Sequence, residues 1–450
     1  MLKQFKKFIT LTTAFALTAA LFAGCGSDQS VNNSTDSNTG TNDGTQAADT
    51  DKGEKINLTF LDWESPEMNK AIEASFDEFT AENPNVTVKL NPAPLKDYGI
   101  KIQQMIAANE APDAFMVGND MVIKYGQEGH LLEINKYTDA DAGFLDKFYP
   151  GVLTSWQLDG KLVGLPGLMN TYGVFYNKKL LAAKGVAEPT KDWTYKDMLD
   201  AADKLKDPAA KMYGLYNATP DVFHMGVYAA AAGGSGFTDG IYPVTKVEAS
   251  AQFKEGVALF SEKIKSGAIP SKTYNVDNLV GLFMQGKVPM MQYGQWAVDQ
   301  LVREAPKDLE WGFVPNPKVT QQSTIYDAVG WAVPKSTKHP DESYKLLKYI
   351  VTKTYEKILP QFPVAPTAYT ESAKPYYAKL KEVGHQDVAD GLDYMLNSPN
   401  KQPVRFFQSF SDKANKFTDA YWNNILDGKQ PIEKLDDMVK SMNDVIAASK

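Results

Sequence analysis

Between Ile56 and Val117 the chain switches hydrophobic period four times, and this alternation constrains its fold more tightly than any other feature. Ile56-Asn57-Leu58-Thr59-Phe60-Leu61 is an apolar run of strand length. Met68 to Asn83 then carries Met68, Ile72, Phe76 and Phe79 at helical spacing and is stopped by Asn83-Pro84. Val86 to Leu90 alternates with period two, Tyr98 to Asn109 has a helical stripe of Tyr98, Ile102, Met105 and Ile106, and Ala114 to Val117 is a short apolar strand. Strand, helix, strand, helix, strand predicts an α/β fold, an open and mostly parallel sheet with helices on both faces. Ligands of such sheets lie past the carboxyl ends of the strands. Two polar groups fall there: Asp62-Trp63-Glu64 after the first strand and Asn119-Asp120 after the third.

The residues ahead of this pattern follow another logic. Lys3, Lys6 and Lys7 make a basic start, and Phe8 to Phe22 is uncharged but too short to span a bilayer comfortably, which is the layout of a secretory signal. Leu21-Phe22-Ala23-Gly24-Cys25 resembles a bacterial lipobox, with Phe22 standing where Leu is usual. Cys25 is the only cysteine in 450 residues, so it has no internal disulfide partner, and its position directly after the apolar run points to lipidation. The expectation is a signal peptide over 1–24, then a lipidated Cys25 and a disordered linker through 54. The linker is built of Ser, Asn, Thr, Asp, Gly, Gln and Ala, which bury too little apolar surface to offset ordering. It would reach roughly 30 Å.

The remaining stretch of about 400 residues exceeds what one core normally serves, so two lobes are expected. With a formal charge of −8 and 43% hydrophobic residues, the chain has no basic footprint for nucleic acid. His130, His224, His339 and His385 are scattered without metal-ligand spacing, and no P-loop, nucleophile elbow or H-E-x-x-H pattern occurs. Nothing marks a pair of carboxylates for glycoside hydrolysis. The expectation is therefore no enzyme, no catalytic residue, no cofactor and no metal.

Further along, Asp159-Gly160-Lys161-Leu162-Val163-Gly164-Leu165-Pro166 precedes a strand ending in Tyr176-Asn177-Lys178-Lys179-Leu180-Leu181, and Pro189-Thr190-Lys191-Asp192-Trp193 follows. Gly286-Lys287-Val288-Pro289-Met290-Met291 leads to Gly294-Gln295-Trp296, and Gly330-Trp331-Ala332-Val333-Pro334-Lys335 comes later. In order and spacing these motifs resemble the bacterial extracellular solute-binding proteins that include the maltose-binding proteins, and the resemblance extends from residue 55 to the C-terminus. It implies a two-lobed, periplasmic-binding-protein-like clamp, each lobe a mostly parallel or mixed sheet flanked by helices. The N-terminal lobe would take 55–168 plus about 330–362, and the C-terminal lobe about 169–325 plus 366–450. The chain would cross between lobes near 169, 324–330 and 363–367.

The same resemblance implies a substrate-binding lipoprotein of an ABC importer, acting as a monomer on the outer face of the cell membrane, held there only by its lipid. It would bind a carbohydrate, most simply an oligosaccharide, and deliver it to the permease subunits. A polyamine, peptide or phosphorylated compound in the same clamp stays open, as does a sensory or adhesive lipoprotein without transport. Sugar recognition needs aromatic platforms for C–H faces and short polar side chains for hydroxyl groups. By position in the family, the candidates are Trp63, Glu64, Asn119 and Asp120 past the strands and Asn170 and Tyr172 at the first crossing. Asp221 and Phe223 precede the Gly233-Gly234 turn, Gln295 and Trp296 follow a strand, Tyr326, Asp327 and Trp331 lie at the second crossing, and Arg405 lies late in the chain. Six of these also have a plainer reading: a cap for Trp63, a turn for Asn119 and Asp120, a hinge for Asn170, core packing for Phe223 and interlobe packing for Trp296. Val117 and Met121 stand where maltose-binding relatives have Trp and Arg, departures that argue against maltose specificity.

Overall fold

The computed structural model describes residues 54–217, 221–271, 274, 276 and 278–449. The signal peptide, Cys25 and almost all of the linker expected from the sequence lie outside the described residues.

The opening alternation forms as its periodicity requires. β1 (Ile56–Leu61) pairs in parallel with β2 (Val86–Leu90) on one side and with β3 (Ala114–Gly118) on the other. α1 (Pro66–Glu82) starts two residues before its apolar stripe, because Ser65 caps it by accepting from the Met68 amide and Pro66 suits the first turn. α2 (Leu95–Ala107) likewise starts earlier than its stripe, directly after Pro94. α3 (Asn119–Gln127) follows β3 with no intervening loop.

The long strand Thr324–Ala332 completes the first sheet. Its C-terminal half runs antiparallel to β3, and its other edge runs antiparallel to Leu165–Asn170, with Asp327 opposite Asn170. Its first residues pair in parallel with Lys401–Pro403. The second sheet is ordered Trp311–Pro315, Tyr172–Asn177, Met290–Gly294, Tyr216–Asn217. Both sheets are therefore mixed, and with their flanking helices they make the two-lobed α/β architecture.

Burial explains why the strand at Tyr172 carries an unbroken apolar run rather than an alternating one. Val174 and Tyr176 belong to one buried cluster, and Phe175 to another on the opposite face. A strand covered on both faces has no polar side to present. The first cluster is built on Leu58, Phe60, Phe76 and Phe115, the second on Phe237, Phe253, Trp422 and Met438.

Local motifs account for several of the stretches noted above by geometry. Asp159 and Gly160 have φ of 51° and 78° and close the two-residue hairpin between Gln157–Leu158 and Lys161–Leu162, a turn that needs positive φ at both positions. Asn177 caps Lys178–Ala183 through the Leu180 amide. Thr194 and Asp197 form a reciprocal capping box at the start of Tyr195–Leu205, a device that contributes about 1 kcal/mol. Among the described residues, no helix is long and apolar enough to cross a membrane.

Candidate functional site

A cavity of about 580 Å³ opens between the ends of the two sheets. Three kinds of segment build its walls. The ends of β1 and β3 supply Trp63, Glu64 and Asp120, the paired strands at Asn170 and Asp327 cross its floor, Trp296 follows the second-sheet strand Met290–Gly294, and Arg405 follows Lys401–Pro403.

The polar floor is a connected network. Gln295 is fully buried; its carbonyl accepts from the Thr171 amide at 2.8 Å and its amide donates to Asn170 Oδ1 at 2.8 Å. That leaves the Asn170 amide to hydrogen-bond Asp327. The Arg405 guanidinium lies 3.5 Å from Asp327 and 3.4 Å from Asp120. Burial pushes the Asp327 carboxyl up, and Arg405 pulls it back. In turn Asp327 holds the guanidinium firmly protonated. Glu64 accepts a hydrogen bond from the Tyr355 hydroxyl at 3.0 Å, while burial and the nearby Asp62 push its carboxyl up to about 7.

Two aromatic surfaces face the same space. Trp296 stands edge-on to Tyr172 at 5.3 Å and to Tyr293 at 5.6 Å, and the residue is 37% exposed. Gly294 makes this placement possible: a Cβ there would sit 2.1 Å from the indole. Trp63 stands edge-on to Tyr98 at 4.7 Å, and the Tyr98 hydroxyl donates to the Met116 carbonyl at 2.6 Å, tying the ring to the end of β3.

Of the residues expected from sequence, Trp63, Glu64, Asp120, Asn170, Tyr172, Trp296, Asp327 and Arg405 line this one cavity. Six do not. Gln295 sits behind Asn170 and orients it. Asn119 opens α3 with no loop before it, and its side chain turns inward, fully buried, while the next residue faces the cavity. Tyr326 points to the opposite face of its strand from Asp327, as period two demands, where its hydroxyl bonds Ser155 and the Val152 carbonyl. Trp331 is completely buried beneath Gly167 and beside Tyr355. Phe223 packs edge-on against Phe237 and Phe406 in the second core. Asp221 caps the helix Val222–Ala231 and contacts the His224 ring at 2.9 Å; that ring stands 5.0 Å from Tyr172, so Asp221 braces the aromatic wall from behind.

Sequence reading missed Leu95, Gly99, Met121, Leu168, Val364 and Ala365 as lining residues, all of which border the cavity. A glycine inside the α2 pattern was the available signal, since that residue weakens a helix without an evident return. Among the described residues no group of three or more His, Cys, Asp or Glu is arranged to hold a metal ion.

A family profile described as bacterial extracellular solute-binding protein matches residues 74–382. The chain belongs to this family. Its members are non-catalytic transport proteins that act outside the cytoplasm. Among curated relatives, the maltotriose-binding protein of Pyrococcus abyssi is 26% identical over 307 residues, a match spanning 64% of this chain and 62% of that protein. The galactooligosaccharide-binding protein of Bacillus subtilis is 23% identical over 275 residues, 60% of this chain and 62% of that one. Among solved structures, an ABC substrate-binding protein from Listeria monocytogenes in complex with cycloalternan superposes with a TM-score of 0.73 at 26% identity, over 88% of this chain and 99% of that one. The two-lobed clamp is the fold of that structure as well.

Proposed function

We propose that this solute-binding protein is the carbohydrate receptor of an ABC importer, taking a neutral oligosaccharide between its lobes and handing it to the permease. The observation that carries the reading is the pairing of two aromatic surfaces, Trp63 and Trp296, with a hydrogen-bonded floor of Asn170, Asp327, Arg405 and Asp120 in one cavity. Aromatic faces suit the C–H faces of pyranoses, and carboxylates and guanidinium satisfy hydroxyl pairs. Relatives named for maltotriose, galactooligosaccharide and cycloalternan binding support the same class. A polyamine site would need uncompensated carboxylates, whereas Arg405 stands between two of the three that line the cavity.

We further infer that the chain crosses between lobes near residues 169, 324–330 and 363–367, and that closure over the ligand follows from hinging there. What supports this at residue 169 is that Leu165–Asn170 pairs with the first sheet and Tyr172–Asn177 with the second. Lipidation at Cys25 would keep the receptor at the membrane surface and within reach of a permease.

A ligand that binds only the folded state must raise the thermal midpoint. A screen of the purified protein against neutral mono- and oligosaccharides, phosphosugars, peptides and polyamines tests the proposal. It expects a shift confined to neutral saccharides. A shift with polyamines or phosphorylated compounds alone would overturn it.

A further inference from the structure

Gly99 lies inside α2, where glycine weakens a helix relative to alanine because it has more backbone freedom to lose. Packing does not require it: a Cβ at Gly99 would meet no atom within 4 Å. Nor does the backbone, since its φ is not in the left-handed region. What Gly99 borders is the ligand cavity. Leu95, one turn earlier on the same helix face, borders it too and leaves 66% of its surface exposed. Trp63, steadied by Tyr98, completes the same wall.

Leu95 and Trp63 thus offer apolar surface in the same wall as a stretch of helix with no side chain of its own. Such a notch fits the C–H face of one pyranose lying against the helix backbone. Lys96 and Asp97 are exposed beside it.

We propose that Leu95, Gly99 and Trp63 form an outer sugar subsite on the rim of the first lobe, and that Gly99 sets how long a ligand the cleft accepts. The proposal rests on the carbohydrate reading above. The units nearest Trp296 and the Asp120–Arg405–Asp327 cluster would be held as that reading has it, and the unit farthest from them would lie over Gly99.

The test is calorimetric titration of a neutral oligosaccharide series, from mono- to hexasaccharide, into wild type, Gly99→Ala, Gly99→Phe and Leu95→Ala. In wild type, affinity should climb with length and then level off. Gly99→Phe should weaken the longest ligands by about 10-fold or more while leaving those too short to reach the rim unchanged. Leu95→Ala, which alters no buried residue, should weaken the same long ligands by a smaller factor. Gly99→Ala should raise the midpoint of the ligand-free protein. If Gly99→Phe and Leu95→Ala alter every length by one factor, or none, the outer subsite is wrong and the carbohydrate reading stands. If Gly99→Ala lowers the ligand-free midpoint, Gly99 is structural and the proposal falls. If wild type binds no saccharide but binds another solute, both readings fall together.

Discussion

The guanidinium of Arg405 lies 3.5 Å from the carboxylate of Asp327, 78 residues earlier in the chain. Asp327 is 6% exposed, and Asp120 completes the cluster at 3.4 Å from the same guanidinium. Removing the cation would leave the buried Asp327 carboxylate without its counter-charge, while solvent at the half-exposed Arg405 side chain moderates the loss. Arg405→Ala is expected to weaken ligand binding and lower the thermal midpoint. The double variant with Asp327→Asn should recover part of the accompanying loss in thermal midpoint. Titration calorimetry and thermal denaturation of the three proteins check this.

Asp62 predicts a pH dependence of stability. It is 1% exposed, and burial pushes its carboxyl pKa from 3.8 up to about 7, against the smaller opposing pull of the Glu64 backbone and the Asn69 side chain. The unfolded chain ionises this group at the lower value, so between the two the folded protein holds the extra proton. Stability contributed in this way is present in acid and declines as pH rises through the window, reaching its floor above about 7. Glu64 is pushed in the same direction. Asp62→Asn should flatten the decline and raise stability above neutrality by up to about 4 kcal/mol. Urea denaturation across the window measures it; a wild-type profile no steeper than that of Asp62→Asn would contradict the assignment.

Gly294 should be a ligand-affinity position although it touches no ligand itself. Any Cβ there collides with the Trp296 ring. Gly294→Ala is expected to displace the indole and weaken binding by about 10-fold, approaching the loss in Trp296→Ala. Tryptophan emission of the ligand-free variant should shift, reporting the moved ring.

Tyr326 should behave in the opposite way. Its hydroxyl is committed to Ser155 and the Val152 carbonyl on the far side of the strand from the cavity. Tyr326→Phe is expected to cost about 1–2 kcal/mol of stability and to leave ligand affinity unchanged.

The sequence disclosed most where a single local rule governs. Period-two and helical spacing marked β1 to β3 and the two helices between them. The cavity was half legible for a related reason: Trp63, Glu64 and Asp120 follow strands of an open sheet, and their exposure follows from topology. Long-range placement was not legible. Asn119 and Asp120 are adjacent letters, yet a helix beginning at once sends only the second into the cleft. Tyr326 and Asp327 are separated by strand alternation in the same way. Trp331 reads like a platform, and only the absence of a side chain at Gly167 shows that it fills a void beneath that residue. Tyr98 read as core from its stripe, and it is core; its ring also forms cavity wall because Trp63 rests on it.

The most direct test of the central claim is equilibrium titration of one neutral oligosaccharide, chosen from the thermal-shift screen, into wild type and Trp296→Ala. The account predicts one ligand per chain in wild type and a loss of about 2 kcal/mol, roughly 30-fold, in the variant, with its ligand-free midpoint unchanged. Equal affinity in both proteins would contradict it, because the ligand would then be bound away from the Trp296 wall and the cleft described here would not be the receptor site.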